Sequence, residues 1–140
     1  MGTPNGYNSL LIPAIRQCYA RAMENWLNTH ISLPVYSSIS LEKENAYSHL
    51  AGLLLALLGF IWVIAVEGIN PGMAVFAASN VIMYASSFLY HQLPAGALKR
   101  LMRIMDHSSI YILIAGSYTP VLLYMGTPLA YGYAAGMWIA

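Results

Sequence analysis

Four side chains with chemical potential stand close together in the stretch "SSFLYHQLPAGALKRLMRIMDHSSIYILIAGSYTP": Ser87, His91, Asp106 and His107. Ser87 precedes His91 by one helical turn, so the two share a helix face. An imidazole can ligate a metal or move a proton near neutral pH. A carboxylate can orient that imidazole or hold a metal-bound water. Titratable groups beside apolar runs are costly and usually functional. The competing reading of a lone histidine at a span end is a ring resting among lipid headgroups.

The elements that must position these groups are membrane helices. The 140 residues are 59% hydrophobic and only 8% charged, where a soluble domain carries about 25% charged residues. Crossing a bilayer takes about 20 apolar residues. Three runs are long enough: Ala46 to Val66, Met73 to Leu93 and His107 to Gly126. A fourth, "PLAYGYAAGMWIA", begins at Pro128 and is too short to span. The expected fold is therefore all-α: an integral membrane helical bundle of three complete transmembrane helices plus the start of a fourth. The apolar ending at Ala140 reads as that of a fragment or truncated frame. The one cysteine, Cys18, excludes an internal disulfide. Membrane lipid is the expected partner, and no nucleic acid is expected.

Lys and Arg set the orientation. Arg16, Arg21 and Lys43 precede the first span, "EGINPG" after it has neither, and Lys99, Arg100 and Arg103 precede the third. This alternation predicts a multi-pass protein of the cell membrane with a cytoplasmic N-terminus. His49, Ser87, His91, Asp106 and His107 then all fall near the inner side, with Asp106 and His107 opening the third span. The outer side offers only Glu67 and Asn70, in or beside a turn. Asn80, Tyr84, Ser87 and His91 form one stripe of the second span. Asn45 and His49 continue into Gly52, Ala56 and Gly59, small residues that allow close helix contact. Asp106 and Ser109 lead toward Gly116 and Ser117, and Pro120 interrupts the hydrogen-bond ladder of that helix. Three such stripes predict an inner-leaflet cavity. Asn80, Tyr84 and Ser117 read as hydrogen-bonding glue across helices.

"SSFLYH" followed by "DHSSIYILIAGSYTP" closely resembles the haemolysin III family, the bacterial branch of the progestin and adipoQ receptor family. "EKENAYSH", with Glu42, Asn45, Ser48 and His49, resembles the polar motif that opens the first span there. The resemblance runs from about Leu41 to Ala140. It implies the N-terminal part of a seven-span fold with a zinc site at the inner side. By resemblance His91 is a zinc ligand, Asp106 holds the zinc-bound water and is catalytic, and Ser87 is a nearby catalytic partner, as in the related alkaline ceramidases. The remaining ligands are a His-x-x-x-His pair in the seventh span, and this chain holds no such pair. Three protein ligands and a water make a catalytic zinc site, so the Zn2+ site is incomplete here. His49, His91 and His107 are a poor substitute set, because His107 points about 100° from Asp106 around the helix. His107 reads instead as a ring at the interface near Tyr111.

Residues 1–40 read as a leader and 41–140 as the partial transmembrane domain. Within the leader, Leu11, Ile15, Cys18, Tyr19, Ala22, Met23 and Trp26 share one side of an amphipathic helix suited to the inner interface, and "SLPVYSSIS" reads as its linker to the first span. The resemblance implies that the intact parent is a zinc-dependent membrane hydrolase acting on lipid amides. In that reading zinc polarises the carbonyl and Asp106 handles the proton. The alternatives are a pore-forming haemolysin and a lipid-sensing receptor or regulator. No ring of pore-lining charge supports the former.

Overall fold

A computed structural model describes residues 6–34, 39–67 and 70–139. Residues 1–5, residues 35–38 of the linker, Gly68 and Ile69 of the first turn, Ala140, and the side chains of residues 6–11, 39, 40 and 67 lie outside the described residues. The described residues form five helices: α1 (Gly6–His30), α2 (Ile39–Glu67), α3 (Pro71–Gln92), α4 (Ala97–Met125) and α5 (Pro128–Ile139). Three of them hold stretches long and apolar enough to cross a membrane, Leu41–Val66, Pro71–Gln92 and Ala97–Met125. The all-α reading and the three spans stand.

Sequence chemistry sets the boundaries. Asn70 caps α3, its Oδ1 accepting from the amides of Gly72 and Met73 at 3.1 and 3.3 Å. Pro71 follows at the first helical position, where its missing N–H costs nothing. Gly126 ends α4 with a left-handed φ of 64°, a conformation that favours glycine. Thr127 then caps α5, its hydroxyl accepting from the amide of Ala130 at 3.2 Å.

α3 is the middle layer. It packs against α2 on one side and α4 on the other, while α5 and the end of α1 rest on α4. Small residues let these backbones approach. A Cβ on Gly52 would run into the Tyr84 ring, and one on Gly116 would run into Ser79. A Cβ on Gly72 would stand 2.8 Å from the Cα of Pro120. Gly59 meets nothing within 4 Å, so the expected small-residue stripe of α2 is used at Gly52 but not at Gly59. Leu54, Leu55, Leu58, Ile61 and Trp62 of α2 are exposed. In a helix with 6% of its apolar window buried, that surface matches hydrocarbon and not water.

Two expectations need correction. The helix that carries the third apolar run does not begin at His107. α4 starts ten residues earlier, so Lys99, Arg100 and Arg103 lie in its first two turns and Asp106 and His107 in its third. A helix of 29 residues is roughly 44 Å long at 1.5 Å per residue. This exceeds the ~30 Å hydrocarbon layer, so its charged first turns extend beyond the apolar run. Nor do Asn80 and Ser117 supply the expected bonds across helices among the described residues. Asn80 Nδ2 donates to the carbonyl of Phe76 at 2.9 Å, and Ser117 Oγ to that of Ile114 at 2.8 Å. Serving its own helix satisfies such a group without a partner.

Candidate polar site at the basic end of the bundle

The last turn of α3 and the early turns of α2 and α4 meet at the end where Lys and Arg gather. His91 reaches this end because α3 runs on to Gln92. His49 comes from the third turn of α2. The two imidazoles stack, with centroids 5.5 Å apart and planes inclined by 15°. Tyr84, one α3 turn before Ser87, lies 6.2 Å from the His49 ring, held against Gly52. Ser87 is buried in the same seam.

Asp106 faces this group from α4. Its side chain is 18% exposed, and it lies within electrostatic range of His91, as do His49, Glu42 and Lys99. His107 turns outward: its side chain is 60% exposed, and its Nδ1–H donates to the carbonyl of Arg103 at 2.9 Å. Ser87, His91 and Asp106 therefore share one end of the bundle with His49, and His107 stands apart, as its angular offset predicted. Two clefts, one of about 360 Å³ beside Arg103 and one of about 530 Å³ between Asn70 and Tyr124, are lined by none of His49, Ser87, His91 and Asp106.

Sequence reasoning missed the clasp above the site. Lys99, read only as a loop charge, is 4% exposed. Its Nζ pairs with Glu42 of α2, donates to the carbonyl of Leu93 at 2.8 Å, and lies 5.1 Å from the centre of the Tyr90 ring. The backbones of α2 and α4 do not meet among the described residues, so this ion pair joins the two outer layers across the end of α3. The signal was half visible, since Glu42 opens the polar motif of the first span. Nothing local marks its partner, 57 residues away.

Among the described residues, no three His, Cys, Asp or Glu side chains come together to hold a metal. One imidazole with a carboxylate, and a second imidazole engaged in stacking, fall short of the three protein ligands of a catalytic zinc. This segment alone does not fit a zinc ion, and no chemical step follows through one.

Residues 37–140 match the family described as Haemolysin-III related. The chain belongs to that family. Among haemolysin III relatives, it is 38% identical over 93 residues to the protein named "Hemolysin-3 homolog" of Bacillus subtilis (strain 168), covering 61% of this chain and 43% of that protein. It is 33% identical over 105 residues to "Hemolysin-3" of Bacillus cereus, covering 69% of this chain and 48% of that one. The chain thus spans about half the length of these relatives. No solved structure matches it. The leader, with α1, lies almost wholly outside the family match, whereas every residue of the polar site lies within it.

Proposed function

We propose that this segment carries the first half of an inner-side polar site of a haemolysin III membrane protein. In that reading His91 is one zinc ligand, Asp106 holds a water or takes its proton, and Ser87 is their buried polar neighbour. A protein of the relatives' full length supplies the other ligands and acts as a zinc-dependent hydrolase of lipid amides, with its basic end in the cytoplasm. When bound, zinc would supply Lewis-acid polarisation of a carbonyl. The observation that supports this reading is the gathering of His49, Ser87, His91 and Asp106 from three helices at one end of the bundle.

The test is a chimera in which this segment replaces the matching part of the Bacillus subtilis relative. Metal analysis is expected to find zinc with the purified chimera and to find it depleted in His91→Ala. Mass spectrometry is expected to detect cleavage of an added ceramide, lost on Asp106→Asn. Zinc content unaffected by His91→Ala would sink the reading. Liposome leakage that persists after zinc removal would point to a pore-former, and a bound lipid released unchanged would point to a sensor.

A further inference from the structure

The cleft of about 360 Å³ at the junction of α1, its linker and α4 has no part in the site above. His30, Ile31 and Ser32 form one wall, and Arg103, Ile104 and Ser108 form the other, with His107 at the edge. The first wall is fixed to the second: Arg100 Nε donates to the carbonyl of Ile31 at 3.0 Å, and an Arg103 terminal nitrogen donates to Ser32 Oγ at 3.3 Å. A guanidinium carries five N–H donors in a planar fork. The Ser32 bond is the one hydrogen bond of the Arg103 guanidinium among the described residues, so most of that fork stays available.

The other polar groups suit an anion. Ser32 and Ser108 bring hydroxyls. His30 Nδ1–H donates to the carbonyl of Trp26 at 2.9 Å, which leaves the Nε2 lone pair to accept from a protonated phosphoryl oxygen. The described lining holds no carboxylate; Asp106 lies 3.9 Å from His107 Nδ1, the nitrogen already bonded to the Arg103 carbonyl. The Arg103 guanidinium on the wall, with no carboxylate in the described lining, leaves the cleft electropositive. Arg forks with hydroxyl donors match phosphoryl oxygens in geometry and charge. The site also sits where α4 passes from its apolar run into its basic turns, with Ile31 and Ile104 beside the polar groups. Basic pockets between membrane helices at such a depth hold anionic headgroups.

We propose that this cleft binds a phosphoryl group, with Arg103 as its principal contact and Ser32, Ser108 and His30 completing the cradle. The group is presented either by an anionic lipid or by free phosphate.

The full chain in neutral detergent would be titrated with phosphatidic acid in mixed micelles, with phosphatidylcholine as the uncharged comparison and inorganic phosphate as the soluble arm. Retention would be read by native mass spectrometry. Phosphatidic acid is expected to be held well above phosphatidylcholine, and Arg103→Gln to weaken it about tenfold, as for loss of a charge-assisted hydrogen bond. Because Arg103→Gln also frees Ser32, Ser108→Glu provides a second variant. It places a negative charge in the cradle at an exposed position and is expected to abolish retention with helix content unchanged. Competition by inorganic phosphate supports the site and names the soluble source; its failure to compete while phosphatidic acid binds supports the site and names the lipid. Equal retention of the two lipids together with no binding of phosphate, or phosphatidic acid binding unaffected by Ser108→Glu in a folded protein, would overturn the proposal.

Discussion

The rings of His49 and His91 lie nearly parallel, 5.5 Å apart, although 42 positions separate them in the chain. This pair fixes α2 against α3 at the end where Asp106 approaches from α4. Stacked aromatic rings contribute about 0.5–1.5 kcal/mol beyond their burial. His49→Ala is therefore expected to lower stability by about 1 kcal/mol, and His49→Phe to recover it. Thermal unfolding in detergent, followed by circular dichroism, compares the two; equal loss in both would show that ring contact is not what matters.

Close backbone crossings give a sharper contrast. Gly116→Val must displace Ser79, which is 1% exposed and bonded to Phe76, and overpacking of this kind costs about 1–3 kcal/mol. Gly59→Ala meets open space and relieves a helical glycine, a gain of up to about 1 kcal/mol. Opposite shifts in unfolding temperature are expected, and shifts of the same sign would contradict the packing described.

The Glu42–Lys99 pair predicts an asymmetry. Glu42→Gln strands an ammonium that is 4% exposed, and breaking a buried ion pair costs about 3 kcal/mol or more. Lys99→Met leaves a carboxylate with 25% of its side chain exposed, so water compensates part of the loss. The single Glu42 variant should be the less stable, and the double variant Glu42→Gln/Lys99→Met should regain much of the deficit. A double-mutant cycle from chemical denaturation measures this coupling directly.

Helix α5 is fastened through Trp138, whose indole donates to Thr119 Oγ1 at 3.0 Å. Thr119→Val removes that acceptor, and loss of one hydrogen bond is worth about 1 kcal/mol. Hydrogen exchange in α5 should quicken while that of α3 stays unchanged. Uniform quickening would mean that α5 belongs to the same cooperative unit as α3.

Orientation can be tested with the natural cysteine. Cys18 is exposed, and a cytoplasmic basic end places it inside. An impermeant maleimide should label it in broken cells but not in intact ones. A Cys18→Ser, Asn70→Cys variant should give the reverse, and labelling of both positions from the same side would refute the topology.

Hydropathy made the three spans legible, and the alternation of Lys and Arg between them brought His91, Ser87 and Asp106 to one end. Helical periodicity set His107 aside correctly. The start of α4 was hidden because Lys99, Arg100 and Arg103 look like loop charges, although helix geometry is indifferent to where hydrocarbon ends. The leader was read as amphipathic with its apolar face toward the membrane interface, and Ile15, Tyr19, Met23 and Trp26 of that face are exposed; among the described side chains of α1, Leu27, outside that face, is the one buried against protein. A single helix's pattern cannot say which residue its neighbour will choose. The burial of Lys99 and the stacking of His49 on His91 depend on three helices at once, so no local window contains them.

The leader is adjacent in sequence to α2, yet Arg100 and Arg103 grip Ile31 and Ser32 from α4. Any traction on α1, from a moving bilayer surface or from a protein bound to it, therefore reaches the third crossing directly through these two bonds. Arg103 stands three positions from Asp106, so that load arrives about one turn from the carboxylate.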